Sequence, residues 1–309
     1  MLNSARAENP NNIIDLGSIN ATVIVLTKNE EENINKCLDS VSRFAEVFVV
    51  DSSSEDSTQA MAGEYSNTTV VNWAWNGKFP KKKQWAIDNL DISEEWVLML
   101  DADEEMTPEL ADEIACVVES ASDKAAYFIH YDNYFLGRRL KHGSHSMKLI
   151  LFKRGKARFV PTNEILVSTM WEVEGNYQPL IDGEVGVLKG HAIHKDCKSL
   201  FHYYQRHNRY SDLEAVHRLK LGKIEESYPP FRRTLKRILR KLPGSGFLYF
   251  CHSYILKLGF LDGLPGLAFA FSRLVYFTQI ECKVMELRLH PERLDEIMKK
   301  HDEVSKALN

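Results

Sequence analysis

Asp101 and Asp103 stand one residue apart where the apolar run Trp96-Val-Leu-Met-Leu100 ends, and Glu104 and Glu105 follow at once. Carboxylates at that spacing can hold a divalent cation whose remaining coordination positions are filled by phosphate oxygens. Mg2+ and Mn2+ prefer such hard oxygen ligands and commonly bind through one or two protein carboxylates. The end of a strand is also where open α/β sheets bind ligands. Helix caps and solvated turns use the same residue types, so the meaning of the acidic pair depends on its surroundings.

Two further polar segments follow apolar runs. Thr27-Lys28-Asn29-Glu30-Glu31 comes after Ala21–Leu26, and Asp51-Ser52-Ser53-Ser54-Glu55-Asp56-Ser57-Thr58 comes after Val47–Val50. Both offer short polar side chains and free backbone N–H groups. A carboxylate there can accept from a base N–H or ribose hydroxyls, and a helix N-terminus can face phosphate. Taken singly, each residue is an ordinary cap or Asx turn. Taken with Asp101 and Asp103, they outline a nucleotide site. Lys81, Lys82 and Lys83 are either a counter-charge for a diphosphate or a solvated helix face.

Such a site needs a scaffold that gathers strand ends at one edge. Ala21–Leu26, Val47–Val50, Thr69–Trp73 and Trp96–Leu100 are short apolar runs that read as buried parallel strands. Helical patterns lie between them. Asn29-x-x-Glu32 has the form of a capping box ahead of Ile34, Leu38 and Val41. Asp56–Tyr65 is expected to form a second helix, and Pro80 to open a third that carries Trp85 and Leu90. Thr107-Pro108 supplies the N-cap and first residue of a fourth. The alternation implies a mostly parallel sheet covered on both faces. Ala126–Tyr131 and Met147–Phe152 continue it as mixed strands around the basic loop Gly137–His142, and the chain reads as helical from Phe201.

Composition bounds the function classes. The 309 residues are 44% hydrophobic and 27% charged, an ordinary globular balance. The formal net charge of -4 gives no basic field for nucleic acid. Cys37, Cys116, Cys197, Cys251 and Cys282 are dispersed and lack C-x-x-C spacing, so neither a disulfide framework nor a zinc site is expected, and a reducing cytosolic compartment fits. Residues 1–20 lack the basic and apolar regions of a signal peptide and read as a loose tail.

The ordered motifs resemble those of the inverting glycosyltransferases of family 2, which have the GT-A fold. Thr27-Lys28-Asn29-Glu30 resembles the family's first-strand motif, Val49-Val50-Asp51-Ser52-Ser53-Ser54-Glu55-Asp56-Ser57-Thr58 its "VVDDGSTDGT" segment, and Asp101-Ala102-Asp103 its D-x-D. Gly77–Ala86 and Asn208-Arg209-Tyr210-Ser211 look most like the bacterial lipopolysaccharide inner-core β-glucosyltransferases. The resemblance implies an α/β catalytic domain over residues 21–215 and a nucleotide-diphospho-sugar donor, UDP-glucose in the nearest group. It implies that Thr27, Glu30 and Asp51 hold the nucleoside, that Asp101 lies near the ribose, and that Asp103 binds Mg2+ or Mn2+ at the diphosphate. Ser52 departs from the second Asp of many relatives. Lys83 is the lysine expected at the diphosphate, and Arg209 either joins it or pairs with Asp212.

Inverting transfer needs a general base to take the acceptor's proton and a cation to stabilise the leaving diphosphate. Glu164 aligns with a "P-V-H-E" element of the resembling enzymes and is the expected base. His191 and His194 lie where related chains carry a histidine near the metal, and His194 is the expected ligand, a role that favours Mn2+ over Mg2+.

Residues 216–309 form the expected helical appendage. Phe231, Leu235, Ile238 and Leu242 share one helix face, with Arg232, Arg233, Lys236, Arg237, Arg240 and Lys241 on the other. A basic amphipathic helix of this kind suits an anionic membrane surface, where each basic residue contributes about 1 kcal/mol. Phe247–Phe277 is apolar but divided by Lys257, Asp262, Arg273 and the Gly263-Leu264-Pro265-Gly266 break, so neither half reaches the ~20 residues of a spanning helix. It reads as two interfacial helices, with a core or homodimer interface as the alternative, and Glu281–Asn309 as a separate soluble helix. The resulting expectation is a peripheral enzyme on the cytoplasmic face of the inner membrane, glycosylating a lipid-linked saccharide such as lipopolysaccharide core. A metal-dependent phosphohydrolase and a non-catalytic sugar-nucleotide-binding protein are the competing readings.

Overall fold

A computed structural model of the chain describes residues 17–76, 79–120, 122–143, 146–159, 178–195, 199–220, 244–296 and Lys299. The first four strands are β1 (Ile19–Thr27), β2 (Phe44–Asp51), β3 (Thr68–Asn72) and β4 (Trp96–Asp101). They pair in parallel in the order β3-β2-β1-β4. The crossovers carry α1 (Ile34–Ser40), α2 (Thr58–Ala62) and α3 (Lys82–Asn89). Because both sheet faces are covered, strands such as Val23-Ile24-Val25 are apolar at successive positions rather than alternate ones. Val23, Val25, Leu98 and Leu100 pack on one face with Ile34, Leu38 and Leu110; Ile24, Val50, Val97 and Met99 pack on the other with Trp73 and Ala86.

Beyond β4 the sheet becomes mixed. It adds β5 (Glu104–Met106), β6 (Ala126–Phe135), β7 (Arg138–Arg139), β8 (Ser146–Lys153) and β11 (Val185–His194), while β9 (Ala157–Arg158) and β10 (Leu180–Ile181) form a separate pair. The full order is β3-β2-β1-β4-β8-β6-β11-β5, with β7 on β6. Since β8 is antiparallel to both β4 and β6, and β6 is parallel to β11, the strands β6 and β11 run in the direction of β1–β4. Their C-terminal ends therefore share the edge that carries Asp101. The helix α4 (Pro108–Glu119) begins as its sequence predicts: Thr107 Oγ1 accepts from Leu110 N at 3.3 Å and donates to His191 O at 2.9 Å. Gly190 lets α4 lie close to β11, because a Cβ there would stand 2.7 Å from Leu110 Cα.

Two expected helix starts are corrected. Asn29 does not cap α1, which begins after Asn33; it adopts a φ of 54° and joins two loops instead. Its N–H donates to Ser54 Oγ at 2.8 Å, and its Oδ1 accepts from Glu55 N at 2.8 Å. Asn tolerates the left-handed region better than most residues, and two inter-loop bonds outweigh one cap. Pro80 stands just outside α3, whose N-cap is Lys81.

The C-terminal helices also differ from expectation. After α5 (Leu200–Lys220), α6 (Ser245–Phe250) continues into a π-helical turn (Cys251–Leu256), and a 3-10 turn (Gly259–Asp262) leads into α7 (Gly263–Leu289). The chain reverses before Gly263, and Pro265 sits in the first turn of α7, where its missing N–H is harmless. No separate terminal helix starts at Glu281, since α7 runs through it. Its charged residues are satisfied by neighbours. Glu281 accepts from Gly244 N and Ser245 N at the start of α6, and Lys283 Nζ donates to Asn208 O, Asn208 Oδ1 and Ser211 Oγ and pairs with Asp212 on α5. Joined to the preceding turn, Gly259–Leu289 is long and apolar enough to cross a membrane by length and composition, which the expected break had ruled out. The basic amphipathic segment 231–242 lies outside the described residues.

Candidate functional site

Parallel register sets the first part of the site. Thr27 pairs with Asp51 and Asp51 with Asn72, while Leu26 pairs with Asp101. The last residues of four strands therefore form one row. Ser52 N donates to Thr27 O at 3.0 Å and Ala102 N to Leu26 O at 3.0 Å, which carries the pairing into the loops. The loops are also tied by Glu30 N to Thr58 Oγ1 at 2.8 Å and Glu31 N to Asp56 Oδ2 at 3.2 Å.

Asp51 is fully buried and accepts from Ser54 N, Ser54 Oγ and Gln59 Nε2 at 2.7, 2.5 and 2.5 Å. Those donors, one backbone N–H, one hydroxyl and one side-chain amide, fix its carboxylate. Beside it, Thr27 Oγ1 is buried with no hydrogen-bond partner among the described residues. An unsatisfied buried hydroxyl costs about 1–3 kcal/mol, so its presence at the end of β1 calls for a reason.

The lysine run divides by role. Lys82 is 1% exposed, and its Nζ donates to Thr27 O and Ser52 Oγ, both at 2.6 Å. It is a strut from α3 to the ends of β1 and β2, neither a solvated helix residue nor a free counter-charge. Lys83 approaches the Phe159 ring at 5.9 Å and adds its positive charge to the field at Asp101. Lys81 is buried as well, so the expected solvated face is absent.

The acidic turn after β4 meets β8, β6 and β11. Lys148 on β8 pairs with Asp101 at 3.3 Å and with Glu104. Glu104, 1% exposed, also accepts from Tyr131 OH at 2.9 Å and Asp101 N at 3.2 Å. Lys148 Nζ lies 4.9 Å from the centre of the Tyr131 ring. Asp103 points away from this cluster to His194 Nε2, 3.4 Å distant at the end of β11. Burial pushes the Asp101 carboxyl up, but Lys148, Lys83 and His194 more than reverse it and hold it well below the usual carboxylate range. Burial likewise raises Asp103, and the hydrogen bond from His194 outweighs that and lowers it. For Glu104 burial wins over the attraction of Lys148 and raises its pKa. Asp101 and Asp103 are thus both anionic at neutral pH, Asp101 ion-paired with Lys148 and Asp103 hydrogen-bonded to His194.

Among the described residues no three His, Cys, Asp or Glu side chains converge into a complete protein cage. Asp103 and His194 would supply one oxygen and one nitrogen, leaving the other positions to phosphate and water, as Mg2+ and Mn2+ sites commonly do. His191 is not part of this pair. Three residues from His194 on one strand, it faces the other side, with Nδ1 3.0 Å from Asp132 and its ring stacked on His130. Arg209 lies half-buried on α5, while Asp212, its expected alternative partner, is taken by Lys283. Glu164 lies outside the described residues.

The family model described as Glycosyl transferase family 2 matches residues 22–171, the span that contains the loops after β1, β2 and β4 but not His194 at the end of β11. Residues 22–171 are a family 2 glycosyltransferase domain. This glycosyltransferase is 23% identical over 264 residues to the lipopolysaccharide core biosynthesis glycosyltransferase LpsC of Rhizobium meliloti (strain 1021), covering 81% of this chain and 88% of LpsC. It is 26% identical over 282 residues to a glycosyltransferase of Rickettsia typhi (strain ATCC VR-144 / Wilmington), covering 84% and 86% of the two chains. In fold it is similar to the mannosyltransferase PcManGT from Pyrobaculum calidifontis, solved in complex with GDP-Man and Mn2+, with a TM-score of 0.50 at 17% identity over 87% of this chain and 88% of that one. The fold is GT-A, and the phosphohydrolase and non-catalytic readings fall away.

Several residues of the glycosyltransferase's site escaped the sequence reading. Lys148, Tyr131 and Glu104 surround Asp101 but come from three strands, and no spacing rule links them. One signal was present: Lys148 interrupts the apolar run Met147–Phe152, and a lysine inside a buried strand requires an acidic partner.

Proposed function

We propose that the glycosyltransferase moves glucose from UDP-glucose to a lipid-linked saccharide of the lipopolysaccharide-core type, with inversion at the anomeric carbon. The observation that carries the donor half is the row Thr27, Asp51 and Asp101 on adjacent strand ends, with the Asp103–His194 pair one turn beyond. A nucleoside laid along that row would find the unsatisfied Thr27 hydroxyl and the Asp51 carboxylate at its base, with Glu30 beside them. Asp101, held anionic by Lys148, would accept from ribose hydroxyls. The diphosphate would then reach Asp103 and His194, with Lys83 and Arg209 as further positive charge.

In the transfer, the acceptor oxygen attacks the anomeric carbon as its proton passes to Glu164, and the bond from that carbon to the β-phosphate oxygen breaks, leaving UDP. Mg2+ or Mn2+ held by Asp103 and His194 would neutralise charge developing on the departing diphosphate. The protein's own contribution is to fix the donor against rigid strand ends and to supply the base.

The acceptor half is supported by the name of the Rhizobium relative, which assigns that protein to lipopolysaccharide core biosynthesis. A nucleotide-sugar donor and an acceptor assembled on lipid place the enzyme at the cytoplasmic face of the inner membrane, with the 231–242 segment as an added anionic-lipid contact. Calorimetric titration with UDP, GDP and ADP, with and without Mn2+, tests the donor assignment. Metal-dependent binding selective for UDP is the expected result. Selectivity for GDP would replace the donor, and absence of nucleotide binding under any metal would overturn the site.

A further inference from the structure

The reversal between α6 and α7 exposes a concentrated apolar surface. Leu256, Leu258, Phe260, Leu261 and Leu264 are 74, 46, 46, 56 and 79% exposed, all within nine residues of one turn. Apolar side chains gathered this way on a soluble surface mark an interaction site. Part of the backbone beneath them is paired internally: Lys257 N donates to His252 O, Leu258 N to Ile255 O and Leu261 N to Leu258 O. Such a turn can enter a poorly hydrated layer without stranding those polar groups.

The turn is bolted to the loop that follows β6. Asp262 accepts from Lys141 N at 3.0 Å and His142 N at 2.9 Å, and Gly143 N donates to Lys257 O at 2.9 Å. Behind this seam, Phe135 at the end of β6 packs edge-on against Phe269 of α7 and Tyr203 of α5. Three exposed cations, Arg138 and Lys141 on the loop and Lys257 in the turn, flank this seam in sequence, and their side chains form no ion pair among the described residues. The chain as a whole is acidic, so this basic rim is a local feature.

We infer that the 255–264 turn and the basic 138–141 loop together form a membrane-contact surface that enters the headgroup region of an anionic bilayer and holds the catalytic edge of the sheet toward it. An apolar tip with a cationic collar fits that layer, where leucines and phenylalanine reach the acyl boundary and the cations meet lipid phosphates. A second copy of the chain fits less well, because a two-fold contact on this patch would set each basic collar against its own duplicate. The orientation follows from topology. β6 runs in the direction of β4, so the loop after it leaves the sheet at the edge that carries Asp101 and Asp103. This deepens the lipid-linked acceptor reading and rests on it for its purpose, although the contact itself is measured without donor or acceptor.

The test is flotation of the full chain with phosphatidylcholine vesicles, with and without phosphatidylglycerol. The wild-type protein is expected to float with anionic vesicles and to be released as salt rises. The combined Leu256→Ser, Leu261→Ser and Leu264→Ser variant should lose roughly 10-fold or more in partitioning at unchanged thermal stability, since these side chains are exposed in the free protein. The Arg138→Gln, Lys141→Gln and Lys257→Gln combination should lose the preference for anionic lipid, at about five-fold per charge. Unaltered flotation of the serine variant overturns the inference, as does a wild-type protein that binds no vesicle. A wild-type dimer that becomes monomeric in the serine variant, without flotation of either, assigns the patch to a second copy and also overturns it. UDP titration of the same variants keeps the two readings apart: retained flotation with no nucleotide binding would remove the donor assignment and leave the membrane surface standing.

Discussion

Asp103 Oδ2 lies 3.4 Å from His194 Nε2, joining the turn after β4 to the last residue of β11. The two strands are not neighbours in the sheet; β8 and β6 separate them. The short strand β5 closes the gap by pairing with the end of β11, with Glu104 opposite His194 and Met106 opposite Ala192. The D-x-D turn is thereby folded over the sheet edge, with Asp101 facing Lys148 and Asp103 facing the histidine. One carboxylate is neutralised by a fixed cation, and the other faces a nitrogen donor.

Asp103→Asn should remove metal-dependent transfer while leaving the fold intact, because the change keeps the side chain's size and removes the charge that would hold the ion. Altering outer-shell partners of a metal typically costs 10- to 100-fold, so loss of a direct ligand should exceed about 100-fold. Turnover measured against Mn2+ concentration, beside a thermal melt, checks this. Full activity in the variant would refute the assignment.

Lys148→Met should destabilise the protein by about 3 kcal/mol, the cost typical of breaking a buried ion pair from one side. Glu104 and Tyr131 would be left around an uncompensated carboxylate. The urea midpoint should fall, and Lys148→Arg should recover part of the loss. An unchanged midpoint would mean that solvent already screens the cluster.

Lys82 and Lys83 are adjacent in sequence and should separate in experiment. Lys82→Met removes the strut to Thr27 O and Ser52 Oγ and should lower stability by about 2 kcal/mol, since a buried carbonyl and hydroxyl lose a charged donor. Lys83→Ala should leave the melting temperature in place and raise the KM for donor. The reverse pattern would exchange their roles.

Glu164→Gln should reduce kcat by about 100- to 10,000-fold with little change in donor affinity, the range expected for loss of a general base. Single-turnover transfer with UDP binding measured in parallel separates the two quantities. A selective loss of donor affinity instead would make Glu164 a binding residue.

The strand-end motifs were legible because each is local. An apolar run that stops at Asp101 or Asp51 signals a buried strand and its polar end within ten residues, and four such runs in order imply a parallel sheet. Thr107-Pro108 was legible for the same reason, since a cap acts on the N–H groups of its own first turn. Asn29 misled because a residue able to cap a helix is equally able to bond a neighbouring loop, and only the position of Ser54 and Glu55 settles which. The lysine run misled because periodicity cannot see that the end of β1 passes beneath Lys82.

From its sequence alone the chain determined the first four strands and the helices between them, the edge at which Thr27, Asp51, Asp101 and Asp103 collect, and the family that those motifs resemble. The tertiary structure decided that Lys148 balances Asp101, that His194 and not His191 meets Asp103, that Lys82 is a strut, and that a single long α7 returns to α5. The division has a physical cause. Hydrogen-bonded turns, caps and apolar periodicity act over a few residues and leave their mark in the local sequence. The pairing of buried charges depends on which strands become neighbours, and that is fixed only when the whole sheet has closed around its core.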